Sequence, residues 1–280
     1  MTFDMAARDP HRFANELDEA AIARLIQRLE SRAKDAVFSR LLDRYATHLE
    51  LPTSAKVLDV GCGTGAVLRT LARRTDFDGR LYGVDQCQPF VDAARDFADR
   101  EGTAGRIEFR VGDAHQLDFP SEAFDAVIAH TVISHVSEPQ KVLKEMTRLV
   151  RPDGIVVIFD GDYASLTYAF ADHDFGHRMD VALANATFNN PRIMRDLPRL
   201  LPELGLTLDT AWGDAVTEIG AGSYFKSFAE TYVPYVQASG ALPPDAVQEW
   251  LKTQLHAIEQ GTFFASCNYY TYLARPVRHD

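Results

Sequence analysis

The chain has 280 residues, of which 46% are apolar and 25% charged, an ordinary globular make-up with enough apolar material for one large domain or a core with a modest lid. A formal net charge of −11 repels phosphate backbones and argues against broad nucleic-acid binding, and no run of Lys and Arg marks a local basic patch. Three widely spaced cysteines, Cys62, Cys87 and Cys267, form no CxxC pair and indicate neither a disulfide framework nor a zinc site.

The opening stretch, MTFDMAARDPHRF, lacks the apolar segment of a signal peptide, and no apolar run approaches the ~20 residues that cross a bilayer. A cytoplasmic protein without membrane insertion is expected. Residues 18–50 are predicted helical, because Ile22, Leu25, Ile26 and Leu29 recur at helical spacing, as do Phe38, Leu41, Leu42 and Tyr45. VLDVG (57–61) predicts a short strand running into glycines, with a helix from about Ala66 to Arg74. LYGVD (81–85), IEFRVGDA (107–114), FDAVIAH (124–130) and IVVIFDGD (155–162) predict four more strands. Between them FVDAARDFADR and VLKEMTRLV (142–150) predict helices, and Arg151-Pro152-Asp153-Gly154 a turn. Strands alternating with helices imply a parallel sheet covered on both faces. Residues 163–202, rich in aromatics, His and Asn, read as an irregular or helical insertion. LTLDTAWGDAV (206–216) reads as a strand, 223–260 as helices around Pro234, Pro243 and Pro244, and TFFASCNYYTYLARP (262–276) as a long strand rich in β-formers.

Chemistry concentrates where the early strands end. Gly61-Cys62-Gly63-Thr64-Gly65 joins the first strand to its helix, a place where glycine lets a ligand approach the backbone and the helix offers unpaired N–H groups. Taken alone, such a turn is also found in dinucleotide-binding folds or serves structure only. Asp85 ends the second strand, where a carboxylate can accept from both hydroxyls of a ribose. Asp113 follows the third strand, suited to an adenine amine, with the Ala114 N–H toward a ring nitrogen. Asp59 precedes the glycines and can orient the loop and a ligand's ammonium. Each Asp by itself reads equally as a cap or a solvated turn. Three at the ends of successive strands, on the sheet edge where ligands of open α/β folds bind, point to one site.

In order along the chain, VLDVGCGTG, Asp85, GDAHQLDFP, FDAVIAHTVISHV and LVRPDGIVVIFD resemble the motifs of class I S-adenosyl-L-methionine (SAM)-dependent methyltransferases, closest to the ubiquinone/menaquinone-type small-molecule branch (methyltransferase type 11-like). The resemblance is firm over about residues 55–162 and loose in the flanks. It implies a Rossmann-like, doubly wound α/β sheet of seven strands, mostly parallel with an antiparallel last strand, the role that 262–276 suits. It implies SAM as cofactor, S-adenosyl-L-homocysteine (SAH) as product, and cofactor contacts at Asp59, Gly61, Cys62, Gly63, Asp85, Gln86, Asp113, Ala114 and His130. The family commonly joins its last two strands by a short hairpin, whereas about 45 residues intervene here. The expected organisation is therefore an N-terminal helical lid (1–50), a SAM-binding core (51–162), a lid insertion (163–202), a core strand (203–217), a second helical lid insertion (218–261), and the last strand with its tail (262–280).

Methyl transfer from a sulfonium needs alignment and exclusion of water, and a base only where the acceptor holds its proton. Candidate catalytic residues are His130, at the end of the fourth strand, His135 five residues on, and Tyr163 after the fifth strand; His130 serves equally as cofactor lining and His135 as packing. Asp160 and Asp162 flank the same strand end. His173 and His177 have an i, i+4 spacing that could hold a metal, but no third ligand is visible, and no metal is expected. Arg28 and Arg32 read as solvated charges or as partners of a cofactor carboxylate. Aromatics concentrated after residue 160 favour a small apolar or aromatic acceptor, methylated on O, N or C. The alternatives are a SAM-binding protein that transfers no methyl, and a nicotinamide-dependent dehydrogenase, which the missing third glycine of GxGxxG disfavours. The oligomeric state is open, a homodimer among the options.

Overall fold

The computed structural model describes Asp9, His11 and residues 14–277. The reading of the first thirteen residues as free of a signal stretch therefore lies, apart from Asp9 and His11, outside the described residues, as do the last three residues of the tail.

Two helices come first, separated by a cap. In α1 (Glu19–Lys34) the Asp18 side chain accepts from the Ala21 N–H at 2.7 Å, and α2 (Ala36–His48) starts on Asp35, whose carboxylate accepts from the Val37 N–H at 2.9 Å. Seven strands follow: β1 (Lys56–Val60), β2 (Arg80–Asp85), β3 (Ile107–Val111), β4 (Phe124–His130), β5 (Val150–Tyr168), β6 (Leu206–Gly220) and β7 (Phe263–Pro276). They form one sheet in the order β3-β2-β1-β4-β5-β7-β6. The first five pair in parallel, and β7 runs antiparallel to both β5 and β6. This is the seven-stranded sheet with an antiparallel last strand implied by the motifs.

Alternate residues of the central strands bury on opposite faces. Leu58, Val127, Val156 and Ile158 pack with α5 (Pro139–Leu149) and α7 (Ile193–Glu203). Val57, Ile128 and Val157 pack in the layer of α2, α3 (Ala66–Ala72), α4 (Gln88–Arg100) and α6 (His173–Thr187). Burial on both sides explains why these strands read as nearly unbroken apolar runs.

The structure departs from the predicted elements in two places. Phe124 pairs with Val150 but Ala126 with Ile155, so residues 151–154 bulge out of β5 rather than forming a turn ahead of it. Residues 163–168 likewise continue β5: beyond a register shift, Thr167 pairs with Ser266 and Tyr168 with Ala265. The long, β-rich β7 offers a ladder that outlasts the parallel neighbour β4, and the chain follows it.

The segment between β6 and β7, residues 221–262, carries α8 (Tyr224–Ser239) and α9 (Pro244–Glu259). Glu218, near the end of β6, accepts the N–H groups of Ser223, Tyr224 and Phe225 at 2.8–2.9 Å. A carboxylate on the first turn satisfies orphan donors and the helix dipole together. It pins the start of α8 to the sheet and so aims Tyr224 and Tyr232. Among the described residues no helix is long and apolar enough to cross a membrane.

Candidate active site

A cavity of about 710 Å³ opens at the carboxyl ends of β1, β2 and β4, roofed by α1 and α2. Its size falls within the usual range of small-molecule sites. Gly61, Cys62 and Gly63 form its floor. Gly61 has φ +69°, and a Cβ there would stand 2.6 Å from Val132 Cγ2; at Gly63, with φ +51°, it would meet only Leu29 Cδ1, at 3.3 Å. The second glycine thus leaves its backbone open to the cavity.

The carboxylates around this loop have different duties. Asp85 accepts from the Gly63 N–H at 2.8 Å and the Cys87 N–H at 2.9 Å, so it braces the loop while lining the cavity. Burial raises its pKa, and those hydrogen bonds oppose the rise. Asp59 is 1% exposed, lines the same cavity, and has no hydrogen-bond partner for either carboxylate oxygen among the described residues. Burial first, and the charge of Asp85 second, push its carboxyl well above the ordinary range. The Cys62 thiol is also raised, by burial and then by Asp85 and Asp59, so it is a wall group rather than a nucleophile.

Farther along the edge, Asp113 and Ala114 line the cavity. One Asp113 oxygen takes the His115 N–H at 2.9 Å and faces His115 Nδ1 at 2.6 Å. Desolvation works upward on this carboxyl, but the hydrogen bonds from His115 outweigh it and hold the pKa low. His115 also reaches Ser137 Oγ at 3.3 Å, closing that end of the cavity. His115 carries no site motif of its own in the sequence, although its i+2 spacing from Asp113 is the signal of a local cap. Gln86 lines the opposite rim; its side chain donates to the His11 carbonyl at 3.4 Å, and its own carbonyl accepts from Asn15.

The three candidate catalytic residues are distributed over two spaces. His130 lines the main cavity; its Nδ1 is 2.9 Å from Tyr45 Oη and its ring lies 4.5 Å from that of Phe159. Burial, followed by Arg32, pushes its pKa well down, so the imidazole is neutral. His135 lines both the cavity and a recess of about 30 Å³ beside it, and its Nδ1 is 2.7 Å from Asp9 Oδ2. Tyr163 lines the recess alone, stacked on Phe188. Burial and then Asp160 raise its hydroxyl well above the ordinary value.

Asp160 and Asp162 do not reach either space. Asp160 accepts from the Ser134 N–H and hydroxyl and from the Gly161 N–H, which fixes the turn that carries His135. Asp162 is paired with Arg195 at 2.7 Å. His173 and His177 are exposed on α6 and line neither space, and among the described residues no group of three or more His, Cys, Asp or Glu could hold a metal.

Arg28, one alternative for which was a solvated charge, is in fact buried in the recess wall, and Arg32 lines both spaces, donating to Thr131 Oγ1 at 2.8 Å. Thr131 lines both spaces as well. It has φ +58°, rare for a β-branched residue, directly after His130. No local sequence signal marks such a backbone.

The methyltransferase-domain family matches residues 58–158. A phosphatidylethanolamine N-methyltransferase of Cereibacter sphaeroides is 34% identical over 54% of this chain and 75% of its own length. The chain belongs to the class I SAM-dependent methyltransferase family. A 37.1 kDa protein of a Streptomyces fradiae transposon is 29% identical over 81% of this chain and 64% of its own length. Fungal sterol 24-C-methyltransferases match over 31% and 35% of theirs, so the chain spans between about a third and two thirds of the length of these curated relatives. A solved structure from Bacillus halodurans C-125 shares the fold with TM-score 0.63 at 18% identity, covering 85% of this chain and 99% of that one.

The residues at the cavity fit the cofactor of this family. The unpartnered, buried Asp59 carboxylate suits an ammonium group, the open backbone of Gly63 suits close approach, and Asp85 and Asp113 supply acceptors at successive strand ends.

Proposed function

We propose that the chain transfers a methyl group from SAM to an O, N or C atom of a small apolar or aromatic metabolite and releases SAH. The observation that carries this reading is Asp59, a buried carboxylate on the wall of a ligand-sized cavity, beside the glycine loop, with no partner of its own. Such a group is costly to maintain unless a cation completes it.

When bound, SAM supplies a methyl already activated by a sulfonium charge. The work left to this chain is binding, orientation and exclusion of water. Asp59 holds the ammonium, Asp85 accepts from ribose hydroxyls, and Asp113 with the Ala114 N–H receives the adenine. Arg32 is available for the cofactor's carboxylate, and neutral His130 lines the methyl-bearing region. His135 is the base for an acceptor that must lose a proton. Asp9 at Nδ1 orients the ring, leaving Nε2 for the acceptor. Tyr163 serves as an aromatic wall and hydroxyl donor rather than a base, since burial raises its pKa.

The aromatic side chains around the recess and the net charge of −11 favour a small apolar or aromatic acceptor over a nucleic acid. The three cysteines are free and buried, which suits a reducing, cytoplasmic setting. Calorimetry should show SAM and SAH binding and no NADH binding. Incubation with labelled SAM and a metabolite extract, read by mass spectrometry, should then yield a labelled product. NADH binding without SAM binding would overturn the assignment.

A further inference from the structure

Arg28 is 8% exposed and has no carboxylate partner among the described residues. Its Nε donates to Tyr232 Oη and its Nη1 to Ser227 Oγ, both at 3.3 Å. Its guanidinium lies 5.0–5.1 Å from the ring centres of Tyr224, Phe228 and Tyr232. Ring faces and neutral hydroxyls offset part of the cost of burying a cation. They leave a permanent charge, with donors at Nη2 that no described residue takes, on the wall of the recess.

The recess is small, about 30 Å³ against about 710 Å³ for the main cavity, so it suits a headgroup while the body of a ligand lies outside it. Besides Arg28 its walls include Tyr163, Phe188, Tyr224 and His135. It shares His11, Leu29, Arg32, Thr131 and His135 with the main cavity, so a ligand can place its head in one and its body in the other. We infer that the acceptor is an aromatic or apolar organic acid whose carboxylate is seated on Arg28 in this recess. The inference rests on the reading of the main cavity as the SAM site.

SAM carries a carboxylate too, but on the carbon that bears its ammonium. Asp59 lines the main cavity and not the recess, which keeps that carboxylate in the main cavity, where Arg32 is on the wall and Arg28 is not. Arg28 sits one helical turn before Arg32 on α1 and is the cation left for a second anion.

The test uses the full chain loaded with SAH and calorimetry of matched probes: 4-hydroxybenzoate against 4-hydroxybenzamide, and 3-(4-hydroxyphenyl)propionate against its amide. The acids should bind at least about tenfold tighter than the amides, the scale of a charge-assisted hydrogen bond. Arg28→Met should erase that preference while SAH affinity stays within about twofold, and Arg28→Lys should retain part of it. If Arg28→Met fails to fold, the unchanged chain and Arg28→Lys still decide. Equal binding of acid and amide, no binding of either acid, or a loss of SAH affinity in Arg28→Met matching the loss of acid binding would overturn the inference. Absence of SAH binding by the unchanged chain would instead sink the SAM reading itself.

Discussion

His135 Nδ1 and Asp9 Oδ2 meet at 2.7 Å across 126 positions of sequence, and the Asp9 side chain is nearly fully buried at the contact. The carboxylate fixes which imidazole nitrogen faces it, and the turn beneath is held by Asp160 through Ser134. A base so oriented predicts a specific kinetic signature. His135→Gln should lower single-turnover methyl transfer by roughly 10²–10⁴ with SAH affinity little changed. Asp9→Asn should lower it less, because the ring loses the carboxylate that orients it. A His135 that merely packs would leave the transfer rate of the bound complex unaltered.

Asp59 predicts a trade between stability and binding. Its folded pKa is raised above 3.8, so the fold favours the neutral acid, and that preference is lost as pH rises through the raised value. Removing the charge with Asp59→Asn should raise the Tm of the unliganded chain at neutral pH. The same change should weaken SAM by about 1.5–3 kcal/mol, the range for a hydrogen bond to a charged group. In the unchanged chain SAM affinity should rise with pH as Asp59 ionises and then level off, and Asp59→Asn should abolish the slope. Equal affinity in both proteins at neutral pH would remove Asp59 from the site.

His130 predicts a pH effect of opposite sign. Burial and Arg32 hold its folded pKa below 6.5, so the unfolded chain binds its proton first as pH falls. The contribution of His130 is complete above about pH 6.5 and shrinks as pH drops toward the folded value. Buried carboxyls such as Asp59 and Asp85 run the other way, so the useful measurement is a difference. The Tm of the unchanged chain minus that of His130→Asn should narrow between pH 7 and pH 5. A constant difference would mean that the imidazole is not buried as a neutral ring.

The motifs exposed the local half of the site and hid the distant half. Asp59, the glycines, Asp85 and Asp113 were legible because a strand ending in a glycine turn fixes where the next few residues point. Arg28, Thr131 and the Asp9–His135 contact were not, since each depends on how α1, α8 and the opening segment fold over the sheet edge. The expected lid insertion over 163–202 dissolves into unlike parts. Its first six residues continue β5, Phe188 reaches the recess, and α7 packs Met194, Leu197, Leu200 and Leu201 against the sheet. A window of apolar, His and Asn residues does not reveal which of these it will become, because each choice is made by a partner strand or helix far away in sequence.

The parts that can act as a lid are α1 and α8, and they carry the last prediction. Between them they supply Arg28, Arg32, Tyr224 and Tyr232 to the walls of the recess. Closing of these two helices on an acceptor whose head lies in the recess would exclude water from the transfer. Hydrogen exchange should therefore slow in α1 and α8 when SAH and an acceptor or acceptor analogue are both present, by more than SAH alone produces. Helix α7 is the internal control, since its apolar face is buried against the sheet and none of its residues lines either space. Slowing confined to α1 and α8 identifies closure. Equal slowing in α7 would signify a general rise in stability from mass action, and no slowing in any of the three would mean that the acceptor reaches its site by another route.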